Sequence, residues 1–167
     1  MEFLFWVMDP GTGPFLTFGK KTGTIQPERT SRMIIEKVIH YFETRHEAAG
    51  VYLFGSYASE KNHPASDVDL AILFLPEHLP SADRYCDRYL TELGRLLRKD
   101  IHPVVMNRAG EVLLKQIFLK GKRLVMKNPA YVREFNMVAM SRIADFGVYL
   151  ERMQTGMKKK MQEAAHG

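Results

Sequence analysis

The chain has 167 residues, with 24 Lys+Arg against 19 Asp+Glu, a net charge of +5 and a pI near 9.3. Its length fits one domain, and 46% hydrophobic with 26% charged residues is a globular composition, so disorder, collagen-like repeats and coiled-coil arrays are poor readings. Apolar runs such as Phe3 to Met8 fall far short of the ~18 residues a membrane span needs.

Phe3 to Met8 is also a poor secretory signal, because Glu2 precedes it, Asp9 ends it and no small-residue cleavage site follows. Cytoplasmic residence is the expectation. One cysteine, Cys86, excludes an internal disulfide, and the six histidines show neither HExxH spacing nor a Cys/His cluster. Any metal is therefore expected on carboxylates. Residues 1–83 hold 7 basic and 11 acidic side chains, a net −4, whereas residues 84–167 hold 17 and 8, a net +9. An anionic partner for the second half, or merely a solvated basic face, satisfies that asymmetry.

Residues 1–26 read as an arm or hairpin, two apolar runs around Asp9-Pro10-Gly11-Thr12-Gly13. A phosphate-loop reading fails there, because five residues separate Gly13 from Gly19 instead of four and Lys21 stands where Ser or Thr is needed. From Pro27, Ile34, Ile35, Val38, Ile39 and Phe42 recur at helical spacing, with Gly50 as the stop. Val51 to Phe54 predicts a strand, residues 55–66 a polar loop and Asp67 to Phe74 a second strand. Ser81 is the expected N-cap of a helix whose stripe runs through Tyr85, Tyr89, Leu93 and Leu96, with Cys86 as a core thiol.

Ile101 to Met106 predicts a third strand, held to an edge or bulge by Pro103, which has no N–H to donate. A helix over 110–120 should end on Gly121 in the left-handed conformation, before a short strand over Leu124 to Met126. The last helix starts near Pro129 and is expected to end before the basic tail Lys158 to Lys160. Residues 27–128 thus form the expected core and 129–167 a long helix with its tail. The mixed order of elements predicts an α+β fold with α/β character, helices packed on a small sheet.

The informative stretch is Gly55-Ser56 followed, after ten residues, by Asp67-Val68-Asp69. Strand period two sends Asp67, Asp69, Ala71 and Leu73 to one face and Val68, Leu70, Ile72 and Phe74 to the packed one. Two carboxylates side by side repel unless a cation lies between them, and hard ions such as Mg²⁺ prefer oxygen ligands. Gly55 permits close backbone approach, and Ser56 with its neighbouring N–H groups can hold phosphate oxygens. Metal and phosphate together suggest a nucleoside triphosphate.

On these residues, with Ser66 before the acidic triplet and Leu70 after it, the sequence resembles the minimal nucleotidyltransferases of the DNA polymerase β superfamily. The resemblance covers roughly residues 30–126. It implies that family's fold and the transfer of a nucleoside monophosphate, AMP from ATP, to a hydroxyl with two Mg²⁺ ions, Mn²⁺ being an alternative. Asp67 and Asp69 would hold the ions, and Asp100, which matches the family's third carboxylate, would complete the set and help activate the acceptor. Gly55, Ser56 and Ser66 would bind the nucleotide. Many members carry Arg-Gly after the Gly-Ser, where this chain has Ser59 and Glu60.

Small stand-alone members resemble antitoxins that adenylylate a tyrosine of a helical HEPN-type RNase toxin. A tyrosine hydroxyl, with an unperturbed pKa of about 10, needs such activation to become a nucleophile. Other readings are a nucleotidyltransferase acting on RNA or a small molecule, and a non-catalytic module that neutralises a partner by covering it. The toxin role itself is disfavoured: Arg95 and His102 mimic the Arg/His spacing of HEPN nucleases but straddle a helix and a strand.

Overall fold

In the computed structural model the described residues are 27–59, 63 and 66–165. The expected arm over 1–26 lies outside them. Alternation along β2 (Val68–Phe74) organises the fold. Val68, Leu70, Ile72 and Phe74 are fully buried on one face against Val38 and Phe42 of α1 (Pro27–Glu43) and Tyr89 and Leu93 of α3 (Ala82–Leu97). Ala71 and Leu73 face the other side. There Leu114 and Ile117 of α4 (Glu111–Lys120), Val132 and Ala139 of α5 (Pro129–Ala165) and Met106 cover them. A sheet apolar on both faces requires helices on both, as expected for this α+β chain.

The four strands lie in the order β3-β2-β1-β4, with β1 at Ala48–Phe54, β3 at Ile101–Val105 and β4 at Lys122–Met126. β1 pairs antiparallel with β2 and β4, and β2 pairs parallel with β3 across the α3 crossover. Pro103 does sit in an edge strand. Beside α1 and α3 two carboxylates are held by hydrogen bonds: buried Glu47 accepts from Tyr89 Oη at 2.7 Å and from Arg88 at 2.5 Å. Glu92 accepts from Tyr41 Oη at 2.6 Å and from Arg45 at 2.7 Å.

Several local expectations are corrected. The first helix ends at Glu43, and Gly50 lies inside β1, where a Cβ would crowd the Val132 side chain at 3.3 Å. The loop expected over 55–66 opens with a one-turn helix, α2 (Gly55–Ala58). Ser81 closes a 3₁₀ turn (Pro76–Ser81) and makes no side-chain cap on α3. Gly121 is extended at φ −78°, and its missing Cβ matters because one would overlap the Ile117 carbonyl. The left-handed cap belongs instead to Arg98, at φ 53° and ψ 46° after α3. Finally, α5 continues to Ala165, so Lys158 to Lys160 lie within the helix and not in a tail after it.

Candidate active site

The backbone bend after β1 is built from one glycine. Phe54 pairs with Asp69 across β1 and β2, and the next residue, Gly55, turns the chain into α2 at φ +70°. A Cβ on Gly55 would overlap Asp69 Oδ2, so glycine is required both by its backbone angle and by the carboxylate lying against it. Ser56 follows, half-buried in the first turn of α2. Ser59 donates its hydroxyl to the Gly55 carbonyl at 3.0 Å and to the Ser56 carbonyl at 3.3 Å, closing that turn. Ser59 thus braces the motif's backbone. Ser66 bonds back to His63, its hydroxyl accepting from His63 N–H at 2.8 Å and its own N–H donating to the His63 carbonyl at 2.9 Å.

Asp67 stands immediately before β2 and Asp69 within it. His102 of β3 lies in register with Asp69. Its Nδ1 is 3.4 Å from Asp69 Oδ1 and 3.7 Å from Asp67 Oδ2, which joins the two carboxylates through one ring. Burial pushes the Asp69 carboxyl above the usual carboxylate range, His102 pulls it back, and Asp67 adds to the rise. Two adjacent carboxylates are donors of the class that a hard divalent cation takes.

Gly55 lies against Asp69, Asp67 and Asp69 both lie near His102, and Ser56 follows Gly55 in the chain. Asp100 stands just before β3 with its side chain exposed, and its carbonyl accepts from Val68 N–H at 2.9 Å. Among the described residues no group of three or more His, Cys, Asp or Glu is gathered to hold a metal ion. The side chain nearest the carboxylates is a histidine, which sequence reasoning left out of the set. Period two along residues 100–102 places His102 on the face of Asp100, but only the β2–β3 register brings it opposite Asp69.

Beside Asp67 a cavity of about 690 Å³ opens between the start of β3 and the end of α3. Ser66 and Asp67 line it from just before β2, Asp100 and His102 from the start of β3, and Arg95 and Arg98 from the helix end. Arg95 and His102 thus share a cavity wall while belonging to a helix and a strand. No helix among the described residues is long and apolar enough to cross a membrane.

A curated relative, protein adenylyltransferase MntA of Shewanella oneidensis, is 34% identical over 74 residues, 44% of this chain and 51% of that protein. The chain therefore spans about half the length of that relative. Among solved structures, a toxin–antitoxin with AMP-PNP matches with a TM-score of 0.56 at 23% identity, covering 76% of this chain and 98% of the other. A tri-AMPylated Shewanella oneidensis HEPN toxin in complex with MNT antitoxin matches at 0.53 and 21% identity, covering 78% and 98%. These structures share the fold. The family model for polymerase beta nucleotidyltransferases matches residues 36–130, a span running from α1 through the Gly55 bend, both aspartates and the cavity strands to the start of α5. With more than half its length inside that match, the chain belongs to the polymerase beta nucleotidyltransferase family.

Proposed function

We propose that the chain transfers AMP from ATP to a tyrosine hydroxyl of a HEPN-type toxin and so acts as its antitoxin. The tyrosine oxygen attacks the α-phosphorus, a new P–O bond forms, the bond to the β-phosphate oxygen breaks and pyrophosphate leaves. The hydroxyl proton departs to a base on the acceptor side. Asp67 and Asp69 are the residues that would hold Mg²⁺, which when bound neutralises charge on the triphosphate. The crowded seat of Asp69, beside Asp67 and His102, fits such an ion.

Ser56 and the Gly55–Ser56 backbone would hold phosphate oxygens, and Ser66 would fix the loop that delivers Asp67. Asp100, on the wall of the cavity that Asp67 also lines, would take the acceptor's proton. The observation that carries this reading is Asp69 seated against a left-handed Gly55, which joins the two halves of the motif in one place. The adenylyltransferase name of the Shewanella relative and the AMPylated toxin in one matching structure support the choice of acceptor.

Incubation with a HEPN-type partner, ATP and Mg²⁺ is expected to leave AMP on a partner tyrosine, detected by mass spectrometry after the proteins are separated. Asp69→Asn should abolish the mark. A partner that regains full activity with no added mass would overturn the enzyme and establish neutralisation by steric cover.

A further inference from the structure

The apolar stripe of α5 does not stop where the core stops. Val132 and Ala139 are buried, and Phe135 and Ile143 pack against the same cluster, where α5 lies on α4 and β1. Past Ile143 the stripe continues through Phe146, Leu150, Met153 and Met157, in steps of four, three and four residues. Among the described residues none beyond Ile143 on α5 belongs to the core clusters. Leu150 is 39%, Met153 46% and Met157 60% exposed. A four-three-four spacing is the seam by which one α-helix packs on another, and a helix owes most of its stability to the face it buries.

Two glycines point the same way. Gly147 and Gly156 stand on opposite flanks of the stripe at 100° per residue. Neither has a positive φ, and a Cβ on either would meet nothing within 4 Å. Glycine inside a helix is less stable than alanine, and no contact among the described residues requires it here. What the two positions provide is room for another backbone to come close to α5.

Charge selects the occupant. Residues 146–161 hold Arg152, Lys158, Lys159 and Lys160 against one acid, Glu151, a net +3. A second copy would set +3 against +3 in either direction of pairing, whereas a helix with acidic margins is attracted. An anionic lipid surface is attracted too, but interfacial helices bury a broad face anchored by Trp, Phe and Leu, of which this segment has only Phe146 and Leu150.

We infer that the second half of α5 is a docking surface for an acidic amphipathic helix of the partner protein, seated on Phe146, Leu150, Met153 and Met157. The inference rests on the antitoxin reading above and names the surface that holds the helical partner, on a different element from Asp67 and Asp69. The methionines, unbranched and adaptable, suit such a seam.

The test measures binding of the full chain to a HEPN-type partner by isothermal titration calorimetry without ATP, for the parent, Leu150→Glu, Met153→Glu and Gly156→Ala. Leu150 and Met153 are exposed, so circular dichroism and binding of fluorescent ATP in Mg²⁺ are expected to match the parent. Partner affinity is expected to fall at least tenfold in each Glu variant, and the parent's affinity to fall as salt rises. Gly156→Ala is expected to raise Tm while weakening partner binding, a combination that a glycine serving only the fold would not give. Partner affinity unchanged in both Glu variants, with AMP still transferred, would overturn the surface and leave the enzyme reading intact. Self-association of the parent that Leu150→Glu abolishes, with partner binding kept, would also overturn it and assign the stripe to a second copy. Sedimentation with phosphatidylserine vesicles lost in that variant, again with partner binding kept, would assign it to a membrane instead. Weakened binding in the Glu variants, from a parent that binds the partner yet leaves no AMP on it, would keep the surface and overturn the enzyme reading.

Discussion

His102 stands across from Asp69 in the parallel β2–β3 register, its Nδ1 3.4 Å from one carboxylate oxygen. The same nitrogen is 3.7 Å from Asp67 Oδ2. Replacing the imidazole with an acid therefore changes the site's charge in a known direction. His102→Asp is expected to lower thermal stability without metal, by like-charge repulsion, and to enlarge the rise in Tm produced by Mg²⁺ or Mn²⁺. Thermal melts with and without the ion measure both, and an ion effect no larger than the parent's would contradict it.

Gly55→Ala should be costly in two ways. The new Cβ meets Asp69 Oδ2, and the backbone stays at φ +70°. Strain of this kind costs on the order of 1–3 kcal/mol. Urea denaturation should show a loss of that size, and nucleotide binding should fall with it, whereas a neutral substitution would mean that the bend relaxes easily.

The α1–α3 interface carries a pH signature. Hydrogen bonding from Tyr41 lowers the Glu92 pKa below the usual glutamate range, with Arg45 adding to it. A carboxylate with a depressed folded-state pKa gives stability that is present above its unfolded pKa and is lost as pH falls through the folded value. Glu92→Gln should therefore destabilise the chain near neutrality and flatten the acid limb of its stability profile. Because the Glu92 side chain is 41% exposed, solvent screening keeps the effect small. Denaturation midpoints at several pH values test this, and an unchanged acid limb would remove Glu92 from the account.

Tyr89→Phe removes one of the two hydrogen bonds to buried Glu47 while keeping the ring packed between Phe42 and Phe74. Leaving a buried carboxylate partly unsatisfied costs about 1–3 kcal/mol. Stability should drop by that amount with AMP transfer unchanged once folded, because Tyr89 packs on the face away from Asp69. Loss of transfer in a fully folded variant would show that α3 reports to the site.

Much of this arrangement is readable from residue types. Alternation over Val68 to Phe74 gives the packed face, and the ten-residue gap between Gly55-Ser56 and Asp67 gives the motif. Pro103 marks the edge strand because its missing N–H is a local fact. What the chain does not disclose locally is register. The residues around Asp100 do not show that the offset of β3 against β2 brings His102 opposite Asp69. Helix ends show the same limit: Gly121 looks like the left-handed cap, but close approach to the Ile117 carbonyl explains it, and Arg98 takes the left-handed position. Lys158 to Lys160 look like a tail because their charge hides a helical segment.

The contact between Gly55 and Asp69 also constrains how the chain can change. While Asp69 is present, residue 55 has no room for a side chain; once Asp69 is shortened, the steric half of that constraint disappears and only the backbone angle remains. The stability costs of Gly55→Ala and Asp69→Ala should therefore be strongly non-additive, with the second change relieving part of the first. A lineage that lost the aspartate would gain room for a side chain at position 55, in that order and not the reverse.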